Sequence, residues 1–196
     1  MTEHLTLAYN LVRNANHGIN VSRTDGGSLD TNHIRIVGNV LYALGADEWG
    51  GADGGGRLFQ VLDGVDFCTF EHNTGFGRAS SVMFDGGPNE SFVFRDNLCG
   101  PTNYGVFGSG LGEGTGALAS YAPAGVFANN VIVGASGASY PAGSFFPATI
   151  GEVGFTDVAA NDYRLLPSSP YATSATDGTA IGADFDALDR ALAGSD

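Results

Sequence analysis

The chain of 196 residues contains no lysine. Eight arginines are its only permanent cations, against 21 Asp and Glu residues, and the formal net charge is −13. Neutralising nucleic-acid phosphates takes a basic face, so this balance excludes nucleic acid as a partner. It also argues against docking on an anionic membrane surface. No run is long and apolar enough to cross a bilayer. Cysteine is scarce: Cys68 and Cys99 are the only two, too few for a disulfide framework, and both are expected to be small buried residues. His4, His17, His33 and His72 do not fall at zinc-ligand spacing. The glycines of residues 50–56 are followed by no Lys-Ser/Thr pair, which excludes a phosphate-binding loop. Residues 1–5 have neither a basic region nor an apolar stretch, so no signal peptide is expected in this chain.

What the chain does have is a repeat. One pattern, apolar-x-apolar-x-x-Asn, occurs as Leu5-x-Leu7-x-x-Asn10, Ile34-x-Ile36-x-x-Asn39, Cys68-x-Phe70-x-x-Asn73 and Phe92-x-Phe94-x-x-Asn97, with a degraded copy at Gly125-x-Phe127-x-x-Asn130. The Asn spacings are 29, 34, 24 and 33, a period that marks a stacked-coil solenoid. A second alternation follows in phase: Ile19 and Val21 after Asn10, Val82 and Phe84 after Asn73, and Val106 after Asn97. After Asn39 the equivalent Phe59 and Val61 are displaced by an insertion. Alternate apolar residues make strands with one face buried. Asp-Gly turns at Asp25-Gly26, Asp63-Gly64 and Asp85-Gly86 then bring in the next copy, glycine supplying the positive φ of a sharp corner. No segment sustains a 3.6-residue apolar stripe, so helices should be minor. Residues 1–150 are therefore expected to form about five coils, with loop insertions at 45–56 and 109–122. Residues 151–196 are expected to be a C-terminal cap of the same domain, because an open coil end exposes unpaired backbone.

The coil pattern is followed by a tail reading Gly154-Phe155-x-Asp157, then Asp162-Tyr163-Arg164-Leu165, Ser169-Pro170, Asp177-Gly178 and Ile181-Gly182-Ala183. Together they resemble the bacterial right-handed parallel β-helix repeat proteins of the pectate-lyase-like superfamily, over nearly the whole chain. The resemblance implies an all-β, right-handed parallel β-helix. It also implies that Asn10, Asn39, Asn73, Asn97 and Asn130 stack as an internal ladder at a tight corner. The group holds polysaccharide lyases, glycoside hydrolases, tailspikes and adhesins, so it specifies fold more narrowly than function.

In the resembling enzymes the substrate groove crosses one sheet flanked by long loops. Here that sheet would turn Asn20, Ser22, Gln60, Leu62, Met83, Asp85 and Phe107 outward, with His17, Arg57 and Tyr104 at strand ends. Trp49, Arg57, Asp85 and Tyr104 are the expected sugar-binding residues: aromatic platforms, a cation and a carboxylate. Glycoside hydrolysis needs a facing pair of carboxyls, and this row supplies only Asp85. Lyase chemistry needs a base beside the sugar, and the lack of lysine leaves Arg57 with His17 or Tyr104 as weak catalytic candidates. Asp47, Glu48 and Asp53, in a glycine-rich loop, are weak candidates for calcium.

The expected function is that of a carbohydrate-interacting β-helix, either a reduced polysaccharide lyase or hydrolase or a glycan-binding remnant of one. It would be secreted or held at a cell surface as part of a longer precursor. The alternative is a structural, self-assembling module with no small substrate. For that alternative, the N-terminal coil is expected to offer an unpaired strand edge and to form a homodimer through it.

Overall fold

The structure, a computed structural model, describes residues 3–23, 31–45 and 55–194. Its strands stack in successive coils. The first coil holds β1 (Glu3–Ala8), β2 (Leu11–Ala15) and β3 (Ile19–Ser22). The second holds β4 (Asn32–Val37), β5 (Val40–Leu44) and β6 (Arg57–Leu62), and the third β7 (Asp66–Glu71), β8 (Thr74–Gly75) and β9 (Ser80–Asp85). The fourth holds β10 (Val93–Arg95), β11 (Leu98–Cys99) and β12 (Val106–Gly108), and the fifth β13 (Val126–Ala128) and β14 (Val131–Ile132). Equivalent strands pair in parallel to form three stacked sheets: β1-β4-β7-β10-β13, β2-β5-β8-β11-β14 and β3-β6-β9-β12. The chain is thus all-β and solenoid-like, with the coil phase read from the repeat.

Register is what makes the core. Leu5 lies over Ile34 and Cys68, and Leu7 over Ile36, Phe70, Phe94 and Phe127, so each apolar position of the motif becomes a column running through the stack. On the third sheet Ile19, Phe59, Val82 and Val106 form another column. Phenylalanine fills the middle: Phe70 packs on Phe59 at 4.9 Å and on Phe92 at 5.8 Å, and Phe84 meets Phe92 at 5.1 Å. Cys68 and Cys99 sit in this interior as free thiols, and burial pushes both up to about 12, far from reactivity.

The ladder asparagines hold the corner between the first and second sheets. Asn39 Nδ2 donates to Asn73 Oδ1 at 3.0 Å, Asn73 to Asn97 at 2.9 Å and Asn97 to Asn130 at 3.1 Å. The backbone N–H of each donates to the same oxygen, so one carboxamide oxygen ties two donors of the preceding coil. The residue before each ladder Asn has a left-handed backbone: Tyr9, Gly38, His72, Asp96 and Asn129. Four of the five carry a Cβ and bear the strain of φ > 0 because the ladder fixes the turn beside them.

The solenoid's far end is closed by the chain itself, through elements before the tail. Helix α1 (Thr115–Tyr121), inside the insertion at 109–122, packs Leu118 on the core and stacks Tyr121 on Phe84. Residues 143–147 run along the fifth coil, where Ser144 Oγ accepts from the Asn130 N–H and so stands in for a sixth ladder residue. The Tyr140 hydroxyl accepts from Val106 N at the edge of β12.

The tail after residue 151 lies elsewhere. It forms an antiparallel pair, β15 (Phe155–Asp157) with β16 (Asp162–Leu165), and a helix α2 (Phe185–Ala193) begun by an Asp184 N-cap. Its Val153, Phe155, Tyr163, Tyr171, Ile181 and Leu188 join a second apolar cluster with Val40, Leu98 and Val131, the outward residues of the second sheet. The tail therefore lies along the outside of that sheet and covers its second face. The tail comes close to the sheet at Gly182, where a Cβ would sit 2.5 Å from Thr74 Oγ1 on a backbone of φ +94.

Asn97 is wholly buried, and its amide also reaches the Phe70 and Arg95 carbonyls. Replacing Asn97 by Ala should cost ~1–3 kcal/mol by leaving those partners unsatisfied. Urea unfolding measures this, and an unchanged midpoint would contradict the ladder.

Candidate functional site

The third sheet, where the sequence places a groove, brings some of the expected residues together. Arg57 pairs with Ser80, and His17 and Tyr104 occupy the flanking coils at the same strand end. Tyr104 is 54% exposed and its ring meets Phe107 at 5.4 Å, an aromatic pair on the surface. Burial, and then the Arg57 charge, hold the His17 imidazole below its usual value, so it is neutral at pH 7. Its Nδ1 and the Ser80 hydroxyl are buried and without a partner among the described residues. Asp85 is not part of this group. It pairs with Leu62, at the far end of the strands from Arg57, about 16 Å along a five-residue rise. There its Oδ1 accepts from Gly86 N and closes the turn. Trp49 and the calcium candidates Asp47, Glu48 and Asp53 lie outside the described residues.

Two concavities lie on a different face, along the seam between the second sheet and the tail. One, of about 490 Å³, has Tyr42, Phe76 and Tyr163 for walls, with Arg13, Arg78 and Asn161 among its lining. Register explains its floor. Arg13 lies beside Tyr42 in the sheet, and the outward column continues to Phe76. Phe76 stacks on Tyr163 at 4.0 Å, and Arg13 Nη1 donates to the Tyr42 hydroxyl at 3.3 Å. Arg13 and Arg78 are exposed, whereas Tyr42 and Phe76 are half-buried. The result is an aromatic hollow with guanidinium groups around it.

The second cavity, of about 600 Å³, follows the same seam and shares Tyr163. Its wall includes Arg35, His72, Arg164 and Asp177. Here the corner residues hold the tail. The fully buried Asp96 accepts from Thr176 N at 2.7 Å and Thr176 Oγ1 at 2.5 Å. His72 Nε2 lies 3.4 Å from Asp177 and 3.7 Å from Asp96, and Asn129 Nδ2 donates to the Ser174 carbonyl. This cavity mixes both signs of charge, and both of its arginines are paired: Arg164 to Asp162 and Asp189, Arg35 to Glu71. Four of the chain's eight arginines line the two hollows of an otherwise acidic protein.

Sequence reasoning passed over this seam, although a signal for it exists. Each ladder Asn except Asn73 is followed by two apolar residues: Leu11-Val12, Val40-Leu41, Leu98-Cys99 and Val131-Ile132. A strand apolar on both faces is covered on both faces. What covers it here is the tail.

Comparison with protein-family models, curated proteins and solved structures gave no match to this chain. The reading of the site therefore rests on its own chemistry.

One charge cluster beside the seam has a defined pH response. Glu71 is buried and receives Arg95 Nη2 at 2.8 Å and Arg35 Nε at 2.6 Å. Burial works to raise its carboxyl, but the hydrogen bonds and charges of Arg95 and Arg35 outweigh it and hold it below the ordinary 4.5. A lowered carboxyl stabilises the fold above its unfolded pKa and loses that contribution as pH falls through the folded value. The melting-temperature gap between wild type and Glu71→Gln should thus be full at pH 7 and close below about pH 4.5. A gap constant with pH would show that the pair contributes nothing through ionisation.

Proposed function

We propose that this chain is a carbohydrate-interacting, right-handed parallel β-helix of the pectate-lyase-like kind, and that it binds an acidic oligosaccharide in the Arg13–Tyr42–Phe76–Arg78–Tyr163 hollow. Right-handedness is supported by the connections: each coil returns a strand beside and parallel to its predecessor, and such crossovers are almost always right-handed. The glycan reading is carried by one observation, the aromatic hollow bearing two exposed guanidiniums in a protein of net charge −13. Aromatic faces take the apolar faces of sugar rings, and a planar guanidinium takes a carboxylate in two parallel bonds. Most anionic ligands would be repelled by this surface, so a local pair of arginines selects for position as well as charge. A polysaccharide partner also suits a secreted or cell-surface setting.

A second reading, a self-assembling module, is favoured by the first coil. Leu5 is 47% exposed whereas Ile34 beneath it in the same column is 3% exposed. Leu7, Val12, Ala15 and Ile19 are likewise only partly buried.

Calorimetric titration with oligogalacturonate and with its neutral methyl ester tests the glycan reading. The acid form should bind, and the ester should bind more weakly. Arg13→Ala and Arg78→Ala should each weaken binding by about ten- to a hundredfold, the loss of a charge-assisted contact of about 1.5–3 kcal/mol. Arg57→Ala and Tyr104→Ala, on the third sheet, should leave it unchanged. Binding lost through Arg57 and Tyr104 instead would move the site to that sheet, and no binding of either sugar would reject the reading.

A further inference from the structure

Two histidines that no ligand spacing links in the sequence are brought together by coil register. His4 and His33 stand in adjacent coils, between the paired positions Glu3–Asn32 and Leu5–Ile34 of the first sheet. Phe67 occupies the same place in the third coil, between Asp66 and Cys68. All three have a left-handed backbone, with φ of 55, 55 and 54, so their side chains leave the sheet in the same direction and stack. The ring centroids of His4 and His33 are 4.7 Å apart, and those of His33 and Phe67 are 4.4 Å apart with the planes only 12° from parallel. The stack is on the outer face of the sheet: both histidines are exposed, and Phe67 is 46% exposed.

The His33 ring is oriented by its neighbour in sequence, since its Nδ1 meets the Asn32 Oδ1 at 2.5 Å. A carboxamide oxygen only accepts, so Nδ1 carries the proton and Nε2 the lone pair. A metal-ligating histidine has this arrangement, one ring nitrogen on the metal and the other donating to a fixed acceptor. Asn32 and the face of Phe67 hold His33 in place. The His4 ring turns about a broad, two-fold χ2 torsion. Two metal–nitrogen bonds of about 2 Å need their nitrogens ~3 Å apart, which a turn of His4 toward its neighbour in the stack supplies.

We propose that His4 and His33 bind one late first-row divalent cation, Cu²⁺ most tightly, on the outer face of the first sheet. Imidazole suits this class of metal, and affinity within the class peaks at copper. Among the described residues no three His, Cys, Asp or Glu side chains form such a group, so this is a two-imidazole chelate and not a closed structural site. The net charge of −13 draws cations to the whole surface, but only the histidine pair offers two nitrogens side by side. The site is independent of the glycan reading, whose hollow lies on the second sheet.

Calorimetric titration of the full chain with CuCl₂, together with electron paramagnetic resonance of the loaded protein, tests the proposal. One Cu²⁺ should bind per chain, its spectrum should show two nitrogen donors, and the melting temperature should rise, because the unfolded chain does not hold the two imidazoles together. His4→Ala and His33→Ala should each weaken binding and remove the two-nitrogen signature. Both side chains are exposed, so each variant should keep the circular dichroism of the wild type. Asn32→Ala should retain both nitrogens and weaken binding by about ten- to a hundredfold, the usual loss when a ligating histidine is deprived of its orienting partner. Zn²⁺ should compete for the same place with lower affinity. Copper binding that survives either histidine replacement with its spectrum unchanged would mean an adventitious ion only on an acidic surface, and would overturn the proposal. A one-nitrogen spectrum in the wild type, or no binding, would overturn it equally.

Discussion

A single repeated contact, the carboxamide of one coil hydrogen-bonded to that of the next, sets the geometry on which the other parts depend. Strands stacked in parallel could slide by one residue, and such a slip would turn every apolar side chain to the wrong face. An Asn whose N–H and Nδ2 both seek one oxygen cannot slide. Its position fixes the left-handed residue before it, and hence the angle between the first and second sheets. The columns of Phe70, Phe94 and Phe127, or of Ile36 above them, are consequences of that register.

The second sheet follows from the same corner. Its strands start directly after the ladder, so residues alternating from Val40 or Leu98 face outward while Leu41 and Cys99 face inward. Both faces are apolar, and an uncovered outer face would be an exposed hydrophobic patch running the length of the stack. The tail removes it, and the corner residues His72, Asp96 and Asn129 bind the tail where the chain turns. Because the tail packs imperfectly against the sheet, the seam retains the two hollows. The candidate site is thus a by-product of how the outer face is covered, which is why it lies away from the third sheet.

The coils were legible because their signal is periodic: Asn at intervals of 24 to 34 residues, each preceded by apolar alternation. The period placed the asparagines in one column, and the resemblance to parallel β-helix repeat proteins implied that they stack as a ladder. The path of the tail was not, since Asp162-Tyr163-Arg164 has no period and its partners, Phe76 and Tyr42, lie far away in sequence. The separation of Asp85 from Arg57 follows from strand length, five residues of rise, which similarity of residue type conceals. Arg13 and Arg78 were passed over because neither belongs to a motif; only register brings each beside an aromatic column.

Native-state hydrogen exchange at the ladder amides tests the central claim most directly. The backbone N–H groups of Asn39, Asn73 and Asn97, each donated to a carboxamide oxygen of the next coil, should exchange only through global unfolding. Exchange of these three amides as fast as that of exposed loop positions such as Gly110 or Gly112 would show that the carboxamides do not hold the coils in register.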